Sequence, residues 1–280
     1  MVEIFDGYCE GLKGGHFSSY KKNLGNKLFI YSVSRLIADE LNYDLIVPEN
    51  SLIRREELSV GQYVEQVFPF KSITGKESIK SPVISIGDTD VLTLDTVEKM
   101  VNHCRGHKII STSYFSKYDY IKPYKEKVRD YFSELTLPKR NEDDLVLMLR
   151  NSRDDGRFVL PDEYYLDILQ KENFKNLYVS FDHIYKHKSI LDKLQIYNPK
   201  YIEGPILDVF KQLTSFNKII ACQGTFSFWV CFLSNANKIY WPMTNDGPNS
   251  NNKNFGTHVN LKVDDEDRYV HIKIDDIYKV

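Results

Sequence analysis

LVLMLRNSRDD, residues Leu145–Asp155, is the stretch on which the reading of the fold turns. Its first five residues are apolar without interruption, as in a strand buried on both faces of a parallel sheet. Arg150 follows at the strand's carboxyl end, and a polar turn carries Asp154 and Asp155. Ile219–Leu233, IIACQGTFSFWVCFL, repeats the arrangement: an apolar strand runs through Gln-Gly-Thr into an aromatic-rich helix. Strand, polar turn and helix, met twice, point to an α/β protein.

The flanking sequence extends the alternation. Asp162–Gln170 reads as a helix opened by Pro161 or capped by Asp162. Leu177–Phe181 is a strand, Ile184–Leu194 and Ile206–Leu213 are helices, and Lys238–Trp241 is a strand expected to end at Pro242. Two β-like runs, His258–Val263 and Tyr269–Ile274, close the chain. Upstream, Val2–Phe5, the amphipathic helix Asn26–Leu41 and Leu45–Val47 form a βαβ unit. Strands over Val83–Ile86 and Lys108–Ser111 frame a short helix within Val91–Val101, and a charged helix covers Ile121–Phe132. Pro138–Asp144 lacks apolar periodicity and reads as a boundary, giving domains of 1–139 and 140–280.

Composition narrows the classes of function. Of 280 residues, 42% are hydrophobic, enough for a buried core, and 37 basic side chains face 39 acidic ones. That balance argues against a sequence-independent nucleic-acid binder. Four cysteines without a CxxC pair give no zinc signature and fit a reducing compartment. Neither a signal-peptide pattern nor an apolar run of about 20 residues is found, so the expectation is a soluble protein without a transmembrane segment, cytoplasmic or peripheral to a membrane where glycans are assembled.

Ligands of open α/β sheets collect beyond the carboxyl ends of the strands, which selects the loops that matter. Arg150 offers a planar fork of donors suited to phosphate oxygens; the competing reading is a surface pair with Asp154 or Asp155. Gly224 permits a tight turn, and Thr225, Phe226 and Ser227 follow at a helix start, where unbonded amides favour an anion. Ordinary N-capping by Thr225 or Ser227 is the competing reading there. At the first helix, Gly25 allows close backbone approach and Asn26 can cap. Asp88-Thr89-Asp90 is a DxD string that reads first as a solvated turn, and no metal site is expected.

Taken in order, these segments resemble the inverting α-1,2-fucosyltransferases. Leu24–Phe29 is similar to a GGLGNQ-type motif, and Thr112–Phe132 to the GYFQSEKYF region. Val146–Asp154 takes the place of HxRRGD, Leu160 to Tyr165 that of LPxxYY, Val179–Asp182 that of FSDD, and Gly224–Trp229 that of STFSWW. The resemblance implies a GT-B fold of two Rossmann-like domains facing a central cleft, with the donor in the C-terminal half and the acceptor mainly in the N-terminal half. It implies metal-independent, inverting transfer of fucose from GDP-fucose to a glycan hydroxyl, with no cofactor beyond the donor substrate. Arg150 would grip the pyrophosphate, Gly224, Thr225, Phe226 and Ser227 would surround it, and Asp182 would contact the guanine. Gly25 and Asn26 would lie on the acceptor side.

This chain departs from the family in places. Met148 stands where the family has histidine, Asn151-Ser152-Arg153 replaces Arg-Gly-Asp, and Lys27 replaces glutamine. Asp154 and Asp155 are the nearest candidates for a general base. The alternatives are transfer from another nucleotide sugar, a metal-dependent transferase using Asp88 and Asp90, and a non-catalytic nucleotide-sugar or glycan-binding protein on the same scaffold.

Overall fold

The computed structural model describes residues 2–4, 24–47, 52–54, 65–67, 69, 83–86, 93–111, 114–150, 159–182, 187–244 and 259–274. By their contacts these divide into two units, one ending at Val128 and the other beginning at Arg129.

The first unit opens with β1 (Val2–Ile4), α1 (Leu24–Leu41) and β2 (Leu45–Ile46), with β1 and β2 parallel. Leu28, Phe29, Val33 and Leu36 recur at helical spacing in α1 and are fully buried. The helix already begins at Leu24, so Asn26 is an internal first-turn residue and not its cap. An antiparallel pair unforeseen in the sequence follows, β3 (Leu52–Arg54) with β4 (Glu65–Val67); three-residue strands are too short to show a period. Then come β5 (Val83–Ile86), α2 (Val97–Cys104) and β6 (Lys108–Ser111). Thr96 caps α2 by accepting from the Lys99 amide at 3.2 Å, so this helix starts later than its apolar pattern suggests. The sheet order is β2-β1-β6-β5, parallel throughout. The expected helix over Ile121–Phe132 is broken into α3 (Tyr118–Ile121), a 3-10 turn at Lys122–Tyr124 and α4 (Lys125–Tyr131). Pro123 lies in that turn, where it lacks the N–H a continuous helix needs.

The second unit contains β7 (Asp144–Leu149), α5 (Asp162–Lys171), β8 (Asn176–Phe181), α6 (Lys188–Leu194), β9 (Lys200–Tyr201) and α7 (Ile206–Thr214). It continues with β10 (Lys218–Ile220), α8 (Thr225–Leu233), β11 (Lys238–Thr244) and β12 (Tyr269–Ile274). Its six strands lie in the order β12-β11-β10-β7-β8-β9, all parallel. Counted by first appearance, that is 6-5-4-1-2-3, the order of a doubly wound Rossmann-type sheet. Leu145, Leu147 and Leu149 share one face with Leu177, Val179 and Ile220, under Tyr164 and Ile168 of α5 and Ile190 and Leu194 of α6. The alternate residues face α7 and α8, where Phe228 meets Trp241 edge-on at 6.5 Å and Phe226 meets Phe210 at 5.4 Å. Phe228, Trp229, Val230, Cys231 and Phe232 are fully buried, so α8 is enclosed on all sides.

Three sequence readings are corrected here. β11 does not stop at Pro242 but runs on to Thr244, with Pro242 opposite Ile272 of β12. Beyond Tyr240 the shorter β10 no longer flanks it, and a missing N–H costs little where one side has no ladder. The run to Val263 is irregular apart from a single bridge at Asn260, while Tyr269–Ile274 is a strand as expected. Pro161 is the N-cap of α5, and Asp162 is its first helical residue.

The far end of α8 is anchored by two arginines. Arg268 donates to the carbonyls of Phe232 (3.2 Å) and Ser234 (2.5 Å), and Arg129 donates to that of Phe232 (3.3 Å). Glu266 bridges the two guanidiniums at 2.5 and 2.6 Å. Cations at a helix C-terminus satisfy carbonyls that have no helical partner and oppose the negative end of its dipole. Among the described residues, no helix is long and apolar enough to cross a membrane.

Candidate functional site

In a 3-2-1-4-5-6 sheet the chain reverses its winding between the first and fourth strands, and a crevice opens beyond their carboxyl ends. Those strands are β7 and β10. Arg150 follows β7 directly, and Cys222-Gln223-Gly224 leads from β10 into α8. Arg150 Nη1 donates to the Gln223 carbonyl at 3.1 Å.

Gly224 makes this approach possible. It is the N-cap of α8, with φ +108° and ψ 172°, a conformation L side chains rarely adopt. A Cβ built there would lie 1.6 Å from Arg150 Nη1, so the guanidinium occupies the space a side chain would fill. The cap has no side chain to offer the first-turn amides; Thr225 is the first helical residue, and neither it nor Ser227 is the N-cap. Two buried polar atoms beside the turn, Gln223 Oε1 and Ser227 Oγ, have no hydrogen-bond partner. Ser227 Oγ has as its neighbours the thiols of Cys222 and Cys231, weak sulfur partners whose pKa its hydrogen bonding lowers.

Electrostatics distinguish the two helix starts on the two sides of this crevice. The first turn of α5 carries Asp162 and Glu163, which oppose the positive end of its own dipole and would repel a phosphate. The first turn of α8 has no acid, and a guanidinium is pressed against it. A cation at the positive end of a helix is unfavourable by itself, and an anion placed between them relieves both. Cys222 senses this surrounding: burial pushes its thiol up to about 11, Arg150 and the Ser227 hydroxyl pull against that, and Asp182 adds to it. The thiol is therefore protonated at neutral pH and is no nucleophile.

On the α5 side a partly open cleft of about 40 Å³ is lined by Arg150, Val159, Asp162, Tyr165, His187 and Ser189, among others. Asp182, one residue beyond β8, accepts from His187 Nε2 at 2.8 Å. Asp162 Oδ2 accepts from Ser189 Oγ (2.8 Å) and Lys193 Nζ (2.7 Å). Tyr164 turns inward instead, its hydroxyl 3.1 Å from the carbonyls of both Ala221 and Tyr240, which fixes the end of β10.

Arg150, Asp182, Gly224, Thr225, Phe226 and Ser227 thus all lie at the carboxyl end of the second unit's sheet. Phe226 is half-buried against Phe210. Gly25 and Asn26 sit in the first unit, in the opening turn of α1. Asp154 and Asp155 lie outside the described residues, as do Asp88 and Asp90. Asp162, Tyr165, His187 and Ser189 were not foreseen as site residues; Asp162 was read as a possible helix cap, and Tyr165 only as part of the LPxxYY resemblance. Comparison with protein-family models, curated proteins and solved structures returned no match.

Proposed function

We propose that this protein is a glycosyltransferase that binds a nucleotide sugar through its pyrophosphate, with GDP-fucose as the donor and a glycan hydroxyl as the acceptor. The observation that carries the reading is the Arg150 guanidinium seated on Gly224 at the acid-free start of α8, at the switch point of a Rossmann-ordered sheet. The motif resemblance supplies the sugar and the nucleotide. A GT-B arrangement, with the 1–139 half serving the acceptor, belongs to the same proposal.

In the proposed reaction the acceptor oxygen bonds to the anomeric carbon as the carbon–oxygen bond to the diphosphate breaks, with inversion. The diphosphate leaves with the electron pair, and its growing charge is stabilised by Arg150 and the α8 amides. The acceptor proton passes to a general base, for which Asp154 and Asp155 are the candidates. No step requires a metal ion.

Sugar transfer from GDP-fucose and from other nucleotide sugars, measured with wild type and Arg150→Ala, tests this. The variant should lose about 100-fold in kcat/KM with the active donor, the scale of one lost transition-state donor. Unchanged transfer by the variant sinks the mechanism. Binding without turnover of any donor would favour the non-catalytic reading.

A further inference from the structure

The anion half of the crevice lies toward α8, whereas its opposite wall, on α5 and α6, carries two acceptors, Asp162 and Ser189, beside Tyr165 and His187. Among the described residues, the hydrogen bonds of the Asp162 carboxylate go to Oδ2, which leaves Oδ1 as an acceptor on a carboxylate that lines the cleft. Ser189 spends its proton on Asp162 Oδ2, so its oxygen retains lone pairs beside that carboxylate. Lys193 holds the carboxylate from outside the lining, which fixes it in place.

Size narrows what such a wall can receive. The enclosed part, about 40 Å³, is room for roughly three waters and enough for two adjacent hydroxyl groups. Two O–H donors meet two acceptors, Asp162 Oδ1 and Ser189 Oγ. A phosphate would be repelled by Asp162 and is drawn to Arg150 on the other side.

We infer that the Asp162–Ser189 wall is a subsite for a vicinal diol carried by the same ligand whose phosphate Arg150 binds. The inference rests on the anion-binding reading of the site. Two parts of a nucleotide sugar bear such a diol, the ribose and the transferred sugar, and both offer the same chemistry. Asp162 is then a specificity-determining residue that touches the ligand.

Titration calorimetry on the full chain tests this with pyrophosphate, GDP, 2′,3′-dideoxy-GDP and GDP-fucose as probes. With a ribose diol, Asp162→Ala should weaken GDP about 10-fold, the scale of a hydrogen bond to a charged group, and leave pyrophosphate and dideoxy-GDP unchanged. Ser189→Ala should weaken GDP about 3-fold in the same pattern. If GDP-fucose weakens while GDP does not, the diol belongs to the transferred sugar. An Asp162→Ala variant that weakens no probe, or weakens pyrophosphate as much as GDP, overturns the subsite. Pyrophosphate binding that survives Arg150→Ala overturns the anion reading instead, and a wild-type protein that binds none of the four probes overturns both.

Discussion

The two ends of the six-stranded sheet are built on opposite electrostatic plans. At the amino end, the Glu172 carboxylate sits between Lys218 (3.0 Å), Lys238 (2.7 Å) and the Tyr240 hydroxyl. Burial alone would raise this carboxyl, but hydrogen bonds from Lys238, Tyr240 and Lys218 outweigh it and bring it to about 2. Charge there is matched by charge within the chain. At the carboxyl end, a guanidinium is pushed against the positive start of α8, and Gln223 Oε1 and Ser227 Oγ have no partner. The first arrangement holds the fold together; the second is where the proposed ligand would bind. The contrast lies in charge: a carboxylate shared by two ammonium groups at one end, and a guanidinium against a helix start with no acid in its first turn at the other.

The contrast breaks most severely at Gly224. Gly224→Val places a side chain where the guanidinium lies and forces it into a left-handed backbone region. GDP affinity should fall about 100-fold, with about 1–3 kcal/mol of strain visible in urea unfolding. Retained affinity would mean that Arg150 need not sit where it does. At the opposite end, Glu172→Gln should cost about 2 kcal/mol of stability, because two ammonium groups lose their shared carboxylate, while GDP affinity stays constant. A binding defect in that variant would erase the distinction between the ends.

The pH dependence sharpens the same point. A carboxyl held near 2 against an ordinary 4.5 stabilises the fold fully above about 4.5, and that contribution disappears as pH falls toward 2. Urea midpoints of wild type should therefore drop over this window more steeply than those of Glu172→Gln. Ser227→Ala gives the smallest effect and the most diagnostic sign. Removing a buried hydroxyl whose neighbours are only weak thiol partners should stabilise by about 0.5–1 kcal/mol and weaken GDP about 3-fold. If stability and affinity move together, Ser227 belongs to the core and not to the site.

The strands and helices that form the crevice were legible because their signals are local. Leu145–Leu149 and Ile219–Ile220 are buried on both faces and read as apolar runs, and the residues just beyond them followed from the strand-end rule. β9 escaped notice because it is two exposed residues on a sheet edge, and β3 and β4 because three residues show no period. Pro242 misled because a proline's cost depends on whether a neighbouring strand flanks it, which is a tertiary fact. The acceptor wall was illegible for a similar reason. Asp162 and Ser189 lie 27 residues apart and meet only because α5 and α6 cover the same face of the sheet. Gly224 was readable as a turn residue, but the guanidinium in its place was not.

In the proposed transfer, the arginine anchor at the far end of α8 would bear on rate rather than on affinity. Phe232 and Ser234 are tied to Arg268, and Glu266 bridges both guanidiniums, so the helix's far end is held against sliding along its axis. Dipoles already fixed in position need no rearrangement during bond breaking, so little of their field is lost to reorganisation as the leaving group departs. A rod clamped at one end and left open at the other acts as a stiff electrostatic probe, and its stiffness is set at Arg268, at the opposite end of the helix from the charge it meets.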